Sequence, residues 1–253
     1  MNIRLVILIA TALIAVTITF AFVEPLPQDP EYHKFADSRT YWEIPNTFDV
    51  LSNIALAVVG LLGMIAALKR LRNRKFNAPL FQYLIFFSGV FLTGFGSLYY
   101  HLSPTNQTLI WDRLPITILS IGFFCSVISE MVSPKGSLVL VTPLLLIGIG
   151  SVYHWHYTES LGWGDLRLYG IVQFLPLILI VLIFVMYKFP KNYLPYISGV
   201  LIFYVLSRLT EFLDHQIYNS LQFISGHTLK HLSAAAAACF ILIMLRQRPD
   251  YKA

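Results

Sequence analysis

"APLFQYLIFFSGVFLTGFGSLYYH" (residues 78–101) decides how this chain is read. No Asp, Glu, Lys or Arg interrupts residues 78–100. At about 1.5 Å per residue such a helix is long enough to cross a hydrocarbon core of roughly 30 Å. The run closes on Ser97 and His101, four positions apart and so on one face of a helix. A hydroxyl and an imidazole at the edge of an apolar span call for a chemical reason.

Working outward, similar runs recur at about 4–22, 47–68, 113–131, 137–153, 168–187, 194–214 and 227–246, eight in all. Of the 253 residues 57% are hydrophobic and only 12% charged, about half the charged share of a soluble domain. The expected fold is therefore all-α and polytopic in the membrane. Residues 25–253 are read as one seven-helix membrane domain. Residues 1–24 precede it as an N-terminal transmembrane helix or signal anchor. They carry one Arg and then an apolar run, as a signal peptide does, but no A-x-A site follows and an uncleaved helix is favoured. The run 137–153 is short for a full span.

The net charge of +5 is explained by its placement. "KRLRNRK" (69–75) marks a cytoplasmic loop. Alternation of the spans then puts Arg4, Lys135, Lys188, Lys191 and the basic C-terminus on the same side, twelve cations in all. Lys34, Arg39, Arg113 and Arg167 fall outside, and Arg208 and Lys230 lie within spans. A nucleic-acid partner is not needed. Cys125 and Cys239 sit singly in apolar runs and read as small core residues. "SAAAAAC" (233–239) is a small-residue face suited to close helix packing.

The polar residues in the spans gather at outward ends. Asp112 opens the span after His101, and "SGHTLKHLS" (225–233) places His227 and His231 four apart at the start of the last span. An i, i+4 histidine pair aims two rings at one point. Haem fits less well, because its axial histidines come from facing helices. The topology puts His101, His227 and His231 at one depth on one side, and three neutral imidazoles with an open position form a catalytic zinc pattern. Asp112 is then placed to take a proton from water, and Ser97 to donate to an oxyanion. Simpler roles stand beside these: a helix N-cap for Asp112, with Pro115 in the first turn, and a bond to its own helix for Ser97. Arg208, Glu211 and Asp214 recur at spacing three as one polar stripe, with an internal Arg208–Glu211 pair. His154 and His156 are read as loop or interfacial residues, and His33 as solvated.

The order S-x3-H-x10-D and then H-x3-H at the last span, carried by Ser97, His101, Asp112, His227 and His231, resembles the CREST superfamily of membrane hydrolases and receptors. "GFGSLYYH", "WDRLP" and "FDVLSNIALAVVGLLG" (48–63) are similar to segments of its alkaline ceramidases, with Ser52 and Asn53 in the matching place. The resemblance covers roughly residues 30–246 and points to a bacterial-type member, hence a bacterial plasma membrane with the site on the periplasmic side and the C-terminus in the cytoplasm. It implies zinc on the three histidines, proton management by Asp112, and support of the zinc-side chemistry by Ser97. The implied reaction is amide hydrolysis of a ceramide-like lipid to a long-chain base and a fatty acid. Ser52, Asn53, Arg208, Glu211 and Asp214 are candidates for the polar surroundings. The chain departs from the ceramidases at their calcium site: Asp37, Glu43 and Asp49 offer carboxylates at a different spacing, and Asn46 stands where a glutamate is expected. A contact of Arg39 with one of these acids is the alternative to Ca2+. A receptor-type or lipid-binding protein that keeps zinc without hydrolysis is the competing class. A rhomboid-type serine protease leaves the histidines unexplained.

Overall fold

The computed structural model describes residues 2–72, 77–188 and 191–247. Among them the chain forms nine α-helices and no strand. These are α1 (Ile3–Phe22), α2 (Thr47–Arg72), α3 (Ala78–Leu102), α4 (Asn106–Met131), α5 (Pro134–Ser160), α6 (Arg167–Met186), α7 (Leu194–Phe212), α8 (Asp214–Leu221) and α9 (Gly226–Gln247). Eight of them, all but α8, are long and apolar enough to cross a membrane. The chain is an all-α polytopic membrane protein. Arg74, Lys75, Arg248 and Lys252, four of the cations used to orient the spans, lie outside the described residues.

Three helix boundaries differ from the sequence reading. α4 begins two turns before residue 113, because Thr105 caps it: its hydroxyl accepts from the Thr108 N–H, and the Thr108 hydroxyl accepts from the Thr105 N–H. Asp112 is therefore not an N-cap, and Pro115 lies inside the helix. α5 is a full span of 27 residues, started by a Ser133 cap with Pro134 in the first turn. It carries His154 and His156, which are helical and not in a loop. α7 stops at Phe212, so Asp214 starts α8 and leaves the stripe of Arg208 and Glu211.

α3 lies between α2 and α4, and α9 packs across α2 and α7. Leu56, Phe86, Phe87, Val90, Ala238 and Ile241 belong to the main apolar core between these helices. Ala235 and Ala238, from the small-residue face of α9, are both buried. α1 packs chiefly on α6 and buries Leu8. Outward side chains such as Val139, Leu146 and Val185 are apolar and exposed, as a lipid-facing surface requires. The start of α2, the ends of α3, α5 and α7, and the starts of α4 and α9 share one end of the bundle. Residues 24–46 lie across that end, and it is here that the polar residues converge.

Candidate metal centre

His101 enters the site from the last turn of α3, where helix carbonyls lack intrahelical donors. Asn46 Nδ2 donates to the His101 carbonyl at 2.8 Å and ties residues 24–46 to that turn. His227 and His231 come from the first turns of α9, and that helix start is fixed by three side chains. Asp214 Oδ1 accepts the His227 N–H at 2.7 Å, while its Oδ2 accepts the Ala36 N–H at 3.0 Å. Ser225 Oγ accepts the Thr228 N–H at 2.9 Å. Asp49 Oδ1 on α2 accepts from the hydroxyls of Ser225 (3.0 Å) and Thr228 (2.6 Å). Carboxylates suit a helix N-terminus, where N–H groups are unpaired and the helix dipole is positive. Gly226 permits the close approach: a Cβ there would overlap the Thr210 carbonyl oxygen.

The three imidazoles converge. All are buried, and one nitrogen from each lies within 4.8 Å of the others. His101 Nε2 and His227 Nε2 are 3.2 Å apart. Two ligands on a tetrahedral metal, with bonds of about 2.0–2.1 Å, sit about 3.3 Å apart, so the spacing fits. His231 Nδ1 faces Ser52 Oγ at 2.8 Å and Asn53 Nδ2 at 3.3 Å. Ser52 and Asn53 themselves donate to the Asp49 carbonyl, at 3.0 and 2.8 Å. A ring protonated at Nδ1 donates to Ser52 Oγ and leaves Nε2 a lone pair; a ring protonated at Nε2 accepts at Nδ1 from Asn53 Nδ2. That Nε2 is buried without a hydrogen-bond partner among the described residues. With Nδ1 protonated, this buried nitrogen is oriented by a polar partner at the other edge of the ring, the arrangement of a metal-binding histidine. The three residues fit a metal ion, and this geometry does not single out which metal.

Ser97, one turn before His101 on α3, stands beside the Asp112 carboxylate on α4. The sequence explains the approach. Pro115 has no N–H for the carbonyl of Trp111, four residues earlier. The freed oxygen lies against Gly96, where any Cβ would overlap it. α3 and α4 can thus close until Ser97 and Asp112 stand side by side.

Lys230 lies beside the triad. Its Nζ is 3.1 Å from His227 Nε2 and 2.8 Å from Glu211 Oε1. Glu211 Oε2 also pairs with Arg208 Nη1 at 2.9 Å, as the sequence reading expected. Phe35 covers the triad from residues 24–46, with ring centroids 4.5 Å from His101 and 4.6 Å from His227. Neither Lys230 nor Phe35 was singled out in the sequence. Lys230 had a signal, an ionisable group one helical turn after His227, but a cation near a span end also reads as a topological marker. Phe35 had none, because its position depends on how residues 24–46 fold back.

Other candidates go elsewhere. His33 is not solvated: Nδ1 meets the Tyr100 hydroxyl at 2.8 Å and Nε2 meets Asn106 Oδ1 at 3.0 Å. His154 faces Asp165 at 3.6 Å. Asp37 forms a two-pronged pair with Arg39, whose Nη2 also donates to the Phe223 carbonyl at 2.9 Å. Asp49 serves α9, and Glu43 is exposed. Among the described residues His101, His227 and His231 are the acid, histidine or cysteine cluster close enough to hold a metal; Asp37, Glu43 and Asp49 form no such cluster.

No protein-family model matches the chain, and comparison with curated proteins gave no match.

Proposed function

We propose that this protein is a zinc-dependent membrane hydrolase that cleaves the amide bond of a ceramide-like N-acyl lipid. The observation that carries the reading is a buried triad of imidazoles one helical turn from a Ser97–Asp112 pair. The resemblance of these five positions to the alkaline ceramidases supports it. The excess of cations at the opposite end of the spans supports a site on the outer side of the membrane, with the acyl chain between helices and the amide at the polar end.

His101, His227 and His231 would hold the ion. When bound, it supplies Lewis acidity toward a carbonyl oxygen and lowers the pKa of a water toward about 7. Asp112 is the proton carrier: its carboxylate takes the proton of the attacking water and returns it to the leaving nitrogen. The C–O bond forms, the C–N bond breaks, and the products are a fatty acid and an amine. Ser97 aims Asp112 by donating to one carboxylate oxygen, leaving the other for the proton. Burial under Phe35 excludes bulk water and strengthens each of these interactions.

A zinc-containing lipid-binding or receptor-type protein is the second reading. Phe35 over two of the imidazoles and Lys230 against His227 Nε2 favour it, because both restrict access to the triad. One experiment separates the two. Purified protein is incubated with a membrane lipid extract, with and without chelator, and released fatty acid is followed by mass spectrometry. Chelator-sensitive release is expected; intact lipids after prolonged incubation with metal-loaded protein reject hydrolysis.

A further inference from the structure

The end of the bundle away from the triad carries a cavity of its own. It lies where the starts of α3 and α5 meet the end of α4. Its volume is about 400 Å³, and its lining includes Ala78, Pro79, Ser129, Glu130, Lys135 and Leu138; ligand pockets are of this size. A serine inside a helix commonly bonds back to a carbonyl of that helix. Ser126 does so to Phe123 at 2.7 Å, and Ser137 to Pro134 at 2.8 Å. Ser129 does not. It is 2% exposed, and its Oγ has no hydrogen-bond partner among the described residues. Gln82 lies on the face of α3 that carries Ala78 and Pro79, one turn deeper. Its Nε2 donates to the Ser137 carbonyl at 3.3 Å, while its Oε1, buried as well, has no partner among the described residues. A buried polar atom left unmet is costly, and two beside one cavity call for a ligand that meets both.

The lining selects the chemistry of that ligand. Gln82 Oε1 is an acceptor, and Ser129 Oγ has lone pairs to offer. Glu130 sets a carboxylate beside Ser129. α4 ends at Met131, so the negative end of its dipole points the same way. All of these favour a cation that carries N–H donors. Lys135, in the first turn of α5, favours an anion at the same cavity. The ligand is thus a zwitterion. Leu138 lines the cavity, while Val139 and Leu140 after it are exposed on the lipid-facing surface. A molecule with its polar end in the cavity has room to lay apolar chains along α5.

We infer that this cavity binds the head group of a phospholipid with a primary ammonium, phosphatidylethanolamine. Its N–H groups bond Ser129 Oγ and Gln82 Oε1, and its phosphate lies beside Lys135. A choline head group carries the same charges but no N–H donor, so it leaves both oxygens unmet. The site is independent of the hydrolase reading and sits at the opposite end of the spans from the triad. Charge-assisted hydrogen bonds in a buried site discriminate by about tenfold or more against a ligand that lacks the donor.

The test offers purified full-length protein in detergent equal amounts of dioleoyl phosphatidylethanolamine, dioleoyl phosphatidylcholine and dioleoyl phosphatidate, and counts bound lipid by native mass spectrometry. The ethanolamine lipid should be retained about tenfold or more over the choline lipid. Ser129→Ala should bring that ratio down to a few-fold. Its Tm with the choline lipid alone should match the wild type, because Ser129 Oγ makes no hydrogen bond among the described residues that could be lost. Ser129→Leu fills the cavity and should lose the bound ethanolamine lipid altogether. Ser129→Ala with Gln82→Leu should erase the preference; if that double variant does not fold, the two single Ser129 variants decide. Equal retention of the ethanolamine and choline lipids by the wild type overturns the inference, and so does a preference that survives both Ser129 variants. Phosphatidate held as strongly as the ethanolamine lipid overturns it too, since the phosphate alone would then be recognised. Free phosphoethanolamine that raises Tm as much as the lipid at equal concentration rejects the lipid as the occupant.

Discussion

His101 Nε2 and His227 Nε2 lie 3.2 Å apart although 126 positions separate them in the chain. Two imidazole nitrogens at this spacing either share a proton or, both carrying lone pairs, form two corners of a metal site. Replacing His101, His227 or His231 by Ala is therefore expected to reduce bound zinc from roughly one ion per chain to near none. Metal analysis of each purified variant checks this, and full zinc content in any one of them removes that residue from the ligand set.

Asp112→Asn keeps the side-chain volume beside Ser97 but not the proton acceptor. Zinc content should stay near that of the wild type, while hydrolysis should fall by about 10²–10⁴-fold, the usual worth of a positioned general base. Turnover within a few-fold of the wild type on any cleaved lipid would show that the proton moves by another route.

Asp214 holds two backbone N–H groups, of Ala36 and His227, in a buried place. Asp214→Ala leaves both donors without their acceptor. The expected cost is about 1–3 kcal/mol for each donor that stays dry, together with weaker metal binding because the first turn of α9 loses its anchor. A lowered Tm in detergent and a raised zinc dissociation constant are the readouts. A variant with unchanged Tm would mean that water reaches these groups.

The eight spans were legible because each carries a long apolar run, and the histidine triad because i, i+4 spacing survives any error of a few residues in a helix boundary. The start of α4 was not legible. Residues 106–112 include Asn, Gln and Asp, and only the Thr105–Thr108 capping bonds reveal a helix there. α5 was read too short because His154 and His156 look polar at a span end, whereas Trp155 and Thr158 on the same stretch are buried. Asp214 seemed to continue the stripe of Arg208 and Glu211, since a spacing of three carries no mark of the break at Leu213. The Lys230–Glu211 pair joins two helices, and pairing between helices is a tertiary fact that one-dimensional periodicity does not contain. The placement of Phe35 likewise depends on the fold of residues 24–46, where Trp42, Glu43 and Asn46 all adopt positive φ.

Gly96 offers the sharpest test of how Ser97 and Asp112 are brought together. The Trp111 carbonyl, deprived of its helical donor by Pro115, occupies the space a Cβ would need. Gly96→Ala cannot be absorbed by a side-chain rotation, because the obstacle is backbone. α3 and α4 must separate, at a cost of about 1–3 kcal/mol, and Ser97 and Asp112 move apart with them. His101 sits more than a turn further along α3 and is held separately by Asn46, so zinc should be retained. The expected outcome is a lower Tm, near-normal metal content and a loss of turnover approaching that of Asp112→Asn. Pro115→Ala in the same background restores a donor to the Trp111 carbonyl and draws it back toward its own helix, so part of the lost activity should return. A Gly96→Ala protein with wild-type Tm and turnover would mean that α3 and α4 do not meet at this point.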